Sequence, residues 1–307
     1  SSRSAFRPPQ DVPTTTIEFG GSFTGLGFVS AVEQPLNRPL DVTAIGVAGL
    51  KEAQLPDEAA VQDHGLPAIR IAIDSAKDGK RGSILVDRIV VPAGTHVWLS
   101  RTDLPRQYRI SLRSTAPVPV RVHADVMGTV VIAPANAPAT TTTLRAPRPV
   151  DFTGTTSALD LDLTLAPAAQ APRWQQIEAR DLQVYRVENE QDADRPLTRP
   201  VSTVLSGSLF FESVGGTERK LRPGEMLRFG GAIGTFLTLD LRDDGIATTF
   251  QGDVRDLRTG AGEHPRSLMP TLLDWLRQRQ GLSLLWGTAL YMFGVVTTFR
   301  KWWRKPE

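Results

Sequence analysis

The residues with chemical potential in this chain are four histidines, two runs of carboxylates and a cluster of glycines, and their spacing limits what they can do. His64, His96, His123 and His264 are scattered, so there is no HExxH or other local spacing of metal ligands. His123 and Asp125 stand two apart, which on a strand puts both on one face. Nothing else accompanies them, and they read as ordinary sheet residues. His264, in Gly262-Glu-His-Pro265, reads as a loop residue.

Glu188, Glu190, Asp192 and Asp194 alternate before Arg195-Pro196, and Asp240, Asp243 and Asp244 surround a turn. Calcium needs several oxygens converging in one loop, and neither run has the EF-hand pattern. The first reads as a solvated hairpin tip. An acid pair for glycoside hydrolysis is defined by a distance in space, which spacing in sequence does not supply.

Gly20-Gly-Ser-Phe-Thr24 stops short of the Gly-x-Ser-x-Gly of a nucleophile elbow. Gly20, Gly21, Gly25 and Gly27 also miss GxGxxG, and no Gly-Lys-Ser/Thr comes after them to cradle phosphate. The segment reads as a turn or β-bulge, with a docking edge as the alternative because glycine lets another backbone come close. The chain has no cysteine, which removes thiolate nucleophiles, disulfides and Cys-ligated zinc or iron–sulfur centres. No catalytic, cofactor-binding or metal-ligating residue is therefore expected, and the protein is read as a non-enzyme.

Strands dominate the elements that would position any site. In 158–165, ALDLDLTL, four leucines alternate with Asp160, Asp162 and Thr164, the period of a half-buried strand. Similar runs at 16–19, 68–74, 84–91, 96–100, 108–113, 119–124 and 129–133 are separated by Gly, Pro, Asp and Ser, as in an antiparallel sandwich or jelly roll. Only 50–62 suggests a short helix, broken by Pro56. Thr140 to Thr143 and their flanking prolines read as a long loop or an edge segment. In 166–172, APAAQAP, small residues and prolines read as a semi-rigid linker. Beyond it, strands are expected at 181–187, 203–213, 226–229, 235–241 and 246–254, with Asp243-Asp244-Gly245 as a hairpin turn.

One stretch differs from all the others. GLSLLWGTALYMFGVVTTF, at 281–299, has no charge and no proline. At about 1.5 Å per helical residue it reaches roughly 28 Å, close to the hydrocarbon thickness of a bilayer. Trp275 precedes it and Trp302 and Trp303 come after it, as headgroup anchors would. Arg300, Lys301, Arg304 and Lys305 crowd its C-terminal flank, against Arg266, Arg277 and Arg279 spread before it. The positive-inside rule then favours a cytoplasmic C-terminus and periplasmic β domains. Export of those domains is expected to need a targeting signal upstream of Ser1. Within 267–280, Leu268, Leu272, Trp275 and Leu276 recur at helical spacing, suggesting a short interfacial helix or a continuation of the span. The span has no His, Asp, Glu, Lys or Arg and so offers neither a proton relay nor an axial ligand. Gly287 and Gly294, seven apart, share a face smooth enough for another helix to pack on.

The expected organisation is a mainly β protein with two antiparallel sandwich or jelly-roll-like domains in series and one C-terminal transmembrane helix. Its segments are 1–165 (first β domain), 166–172 (linker), 173–260 (second β domain), 261–280 (juxtamembrane), 281–299 (span) and 300–307 (basic tail). Lys and Arg number 35 against 33 Asp and Glu, a formal net charge of +2, too small to imply a nucleic-acid partner. Only six of the basic residues are lysine, a bias we read as GC-rich bacterial coding.

The function expected is that of a non-catalytic, single-pass accessory subunit in the bacterial inner membrane. Its partners would be the lipid bilayer and the integral subunits of a larger complex, with a photosynthetic reaction-centre, antenna or respiratory assembly as host. No cofactor and no small-molecule substrate are expected. The alternative is a membrane-tethered binding module for glycans or envelope polymers, with Trp98, Tyr108, Trp174 and Tyr185 as candidate platform aromatics. A coplanar exposed row of these rings would favour that alternative, and burial would count against it.

Overall fold

In a computed structural model of the chain, the described residues are 14–36, 39–50, 52–54, 61–62, 69–75, 84–86, 89–118, 121–125, 128–134, 139–144, 149–153, 156–166, 173–192, 195–212, 217–260, 265–270 and 281–303. They form a mainly β structure that ends in one C-terminal helix. A large antiparallel sheet holds 19 of the strands. Alternation builds it as expected. In Thr156–Leu165, Leu159, Leu161, Leu163 and Leu165 are buried. Asp160 and Asp162 on the other face bond Arg113 and Arg109 of the neighbouring strand Gln107–Val118.

The pairing order crosses the expected linker at 166–172. Gly25–Ser30 lies between His96–Arg101 on one side and Ile177–Gln183 on the other. Thr15–Phe23 runs between Val204–Phe211 and Gly245–Val254. Strands from 1–165 and from 173–260 therefore share one sheet, and their buried side chains form one cluster. Phe28, Phe236 and Phe250 carry that cluster across the join, with ring centroids 5.1 and 5.3 Å apart. The buried Gln34 adds a polar stitch: its amide donates to the Glu178 carbonyl at 2.7 Å and accepts from the Glu178 N–H at 2.9 Å. A side chain here takes the place of a neighbouring strand.

Several expectations are corrected. Within 50–62 the described residues are strands, Glu52–Gln54 and Val61–Gln62. The first of these pairs with Pro149–Thr153, so ladder bonding overrides the modest helix preference of the KEAQ stretch. Of the two readings for Thr140 to Thr143, the structure takes the edge segment and not the loop: among the described residues Thr140–Leu144 is a strand paired with Gly128–Pro134 alone. In the juxtamembrane segment, Arg266–Ser267 is a short strand on Asp256–Thr259 and Leu268 is buried against the core. Residues 261–264 and 271–280, the rest of that segment, lie outside the described residues, as do most of the linker and the tail after 303.

The C-terminal helix is Gly281–Trp302, 22 residues long. Among the described residues no helix is long and apolar enough to cross a membrane. The unbroken run of described side chains, from Leu290 to Arg300, covers only about 16 Å, roughly half of a hydrocarbon core. The expected transmembrane assignment at 281–299 is corrected to a helix at Gly281–Trp302.

Candidate functional site

Each carboxylate run of the sequence has a structural setting. Glu188, Glu190 and Asp192 lie on Tyr185–Asp192, which pairs with Arg195–Ser202 in a two-stranded hairpin. Glu188 makes an ion pair with Arg186 two residues before it. The second run is gripped by arginines. Asp240, its side chain only 7% exposed, accepts from Arg173 at 3.0 and 3.3 Å and from Arg242 at 3.5 Å. Asp243 meets Arg106 at 3.0 Å, and the Asp244 carbonyl accepts from Arg101 at 3.1 Å. Among the described residues, no group of three or more His, Asp or Glu side chains is placed to hold a metal ion. His96 is exposed on its strand, the side chains of His123 and Asp125 are outside the described set, and His64 and His264 lie outside the described residues.

Tyr108, which the sequence puts on a strand and offers as a candidate platform aromatic, is the centre of this second cluster. Its ring is buried, and its hydroxyl donates into the carbonyls of Arg242 and Gly245. Burial pushes the phenol up to about 12, against the pull of Arg101 and with the help of Asp243 and Asp244. Arg106 adopts φ 60° in the adjoining turn, the left-handed region that non-glycine residues seldom enter, and also reaches the Ala166 carbonyl at 3.4 Å. The cluster ties the Arg242–Gly245 hairpin turn to residues 101–108. That is a clamp between strands.

The Leu221-Arg-Pro-Gly-Glu225 turn is a second locked corner. Gly224 takes φ +75°. Burial raises the Glu225 carboxyl, but the Arg222 amide, the Thr259 hydroxyl and the Arg219 guanidinium together hold it below the usual carboxylate range. The glycine cluster also resolves. Gly20 and Gly21 lie within the strand Thr15–Phe23, in unbroken register with Gly245–Val254; the register shift between Ser22 and Phe23 leaves the extra residue, Leu205, on the partner strand Val204–Phe211. The backbone that comes close is the chain's own: a Cβ on Gly21 would stand 2.2 Å from the Ser206 carbonyl. On Gly25 and Gly27 a Cβ would meet the Trp98 ring at 2.9 and 2.6 Å. Trp174 and Tyr108 are buried and Trp98 and Tyr185 half-buried, so the four candidate aromatics make no exposed row.

What remains is the helix. Leu290, Tyr291, Met292, Phe293, Val295, Val296 and Phe299 are exposed by 46 to 74%, and Trp303 by 79%. They lie on all sides of the helix, unlike the single apolar stripe of a helix packed on a water-soluble body. Thr297 donates to the Phe293 and Gly294 carbonyls, and Thr298 to Gly294 at 2.8 Å, so neither hydroxyl needs an outside partner. Tyr291, Gly294, Val295, Thr298 and Phe299 line an open groove of about 680 Å³. Spacing in the sequence pairs Gly294 with Gly287. The groove instead groups Gly294 with residues one to five positions away, the near neighbours on a helix surface. Nothing stands within 4 Å of a Cβ built on either glycine. Arg300 is exposed at the helix's C-terminal end. Trp275, Arg304 and Lys305 lie outside the described residues, and the side chains of Lys301 and Trp302 are outside the described set.

No protein family matches this chain, and no curated protein and no solved structure is detectably similar to it.

Proposed function

We propose that this protein is a non-catalytic, membrane-anchored accessory subunit, with the helix at 281–302 seated across a bilayer and the β body carried at its surface. The observation that carries the reading is the exposure of large apolar side chains on all sides of the helix between Leu290 and Phe299. Each such side chain costs about 1.5–3 kcal/mol when left in water rather than buried. In hydrocarbon that cost disappears, and the two back-bonded threonines carry no unsatisfied hydroxyl into it. The flanks support the same placement, with Trp303 exposed beside the basic run Arg300, Lys301, Arg304 and Lys305.

The accessory role draws its support from the body. The carboxylates of Asp240 and Asp243 pair with arginines, and the candidate glycan-binding rings Tyr108 and Trp174 are in the core. Its partners would be the integral subunits of a larger bacterial membrane complex, such as a photosynthetic or respiratory assembly, with the β body periplasmic. The test is expression of the full chain with its native membranes, alkaline carbonate washing, and mass spectrometry of chains that co-purify in mild detergent. Retention through the wash together with stoichiometric membrane partners is the expected result. Release by carbonate refutes the anchor, and isolation as a lone chain refutes the accessory role.

A further inference from the structure

We infer that Val204–Phe211 and Gly245–Val254 form a strand-binding groove whose occupant is the chain's own Thr15–Phe23, held as a donated strand that stays in place without its covalent link. Both edges of the donated strand are used. Seven of its residues are in register with Val204–Phe211 and all nine with Gly245–Val254. Its side chains are read by position. Ile17, Phe19 and Phe23 are completely buried, and with Gly21 they form one alternating series on one face of the strand. At Gly21 the groove accepts no side chain, because a Cβ there would lie 2.2 Å from the Ser206 carbonyl and 2.8 Å from Gly207 Cα. The recognised pattern is therefore Ile-x-Phe-x-Gly-x-Phe, the β-augmentation mode in which backbone bonding gives affinity and alternate side chains give selectivity.

The link from the donated strand to the chain that follows it is a single pivot. The Thr24 N–H donates to the Thr203 carbonyl at 2.8 Å and its own carbonyl accepts from Arg101 at 2.9 Å. From Gly25 onward the chain pairs with different strands, His96–Arg101 and Ile177–Gln183. The donated strand thus leaves the groove at one residue, and its pairing there is independent of the strand that begins at Gly25.

The experiment uses the full chain in detergent with a protease site inserted between Thr24 and Gly25. After cleavage, the N-terminal fragment should co-elute with the remainder in gel filtration. A labelled peptide of residues 14–24 should exchange into the cut protein, and the same peptide with Gly21→Val should do so at least tenfold more weakly. Separate elution of the fragment, with amide protection at 204–211 and 245–254 unchanged, would overturn the inference, as would equal exchange of both peptides. Should the insertion prevent folding, hydrogen exchange on the unmodified chain decides. Residues 15–23 are expected to exchange as one set with 204–211 and 245–254, and exchange at 15–23 tenfold faster or more rejects the groove.

Discussion

Tyr108 and Gly245 stand 137 positions apart, on opposite sides of the 166–172 segment, and the Tyr108 hydroxyl lies 3.1 Å from the Gly245 carbonyl. Together with the bond to Arg242, this contact closes the end of the Ile233–Arg242/Gly245–Val254 hairpin with a side chain from the first half of the chain. A buried carbonyl there would otherwise lose its partner.

Removing that hydroxyl tests the clamp. Tyr108→Phe should cost about 1–2 kcal/mol in urea unfolding, the loss for a buried acceptor left unpaired. The pH dependence supplies a second reading. The folded phenol is raised to about 12 from an ordinary value near 10. Its contribution to stability is complete below pH 10 and is lost as pH rises from there towards 12. Stability curves for the native chain and Tyr108→Phe should converge over that interval.

Glu225 has the opposite sign. Its carboxyl is held below the ordinary range, so its stabilisation is present above the unfolded value near 4.5 and is lost as pH falls through the lower folded value. Thermal unfolding of Glu225→Gln should therefore differ from that of the native chain at neutral pH and approach it under acid conditions.

The tight strand crossings invite a packing test. Gly234 and Gly252 face each other in register, and a Cβ on Gly234 would lie 2.2 Å from the Gln251 carbonyl and 2.7 Å from the Phe250 ring. Gly234→Ala should destabilise by roughly 1–3 kcal/mol, as overpacking of a filled site does. Chemical denaturation checks it, and Gly224→Ala offers a contrast: φ strain at an open position.

Gly287→Leu with Gly294→Leu addresses the helix. Nothing stands within 4 Å of either position, and leucine is favourable in hydrocarbon. Membrane retention should be unchanged while recovery of partner chains falls severalfold, because the filled groove holds a neighbouring helix off. Equal recovery would assign association to the β body.

Orientation has its own readout. Protease added to sealed right-side-out spheroplasts should remove the β body and leave an epitope on the tail intact. An accessible tail with a protected body would reverse the assignment.

Much of this architecture is legible locally. The leucine alternation of 158–165, the Asp243-Asp244 turn and the helix from Gly281 all arise from short-range pattern. The misreadings have one physical source. Whether Thr15–Phe23 pairs with its neighbour in sequence or with Gly245–Val254 depends on complementary registers far apart in the chain, which periodicity does not encode. Glu52–Gln54 likewise is a strand through its partner at 149–153. For Tyr108 and Trp174 the sequence leaves core and surface open, because an amphipathic ring fits either side of a sheet. Their burial is set by which strands close over them.

The pairing of Thr16 with Asp253, 237 positions later, also sets a clock. At synthesis rates of roughly 5–20 residues per second, the first strand waits about 10 to 50 s for its second partner to be made. Until Val204–Phe211 has also been made, Ile17, Phe19 and Phe23 belong to an apolar segment with neither of its strand partners, the kind of segment that seeds aggregation. The slow step in forming this protein is accordingly expected to be the late capture of its earliest strand, and expression yield should depend on whatever shields that strand in the meantime.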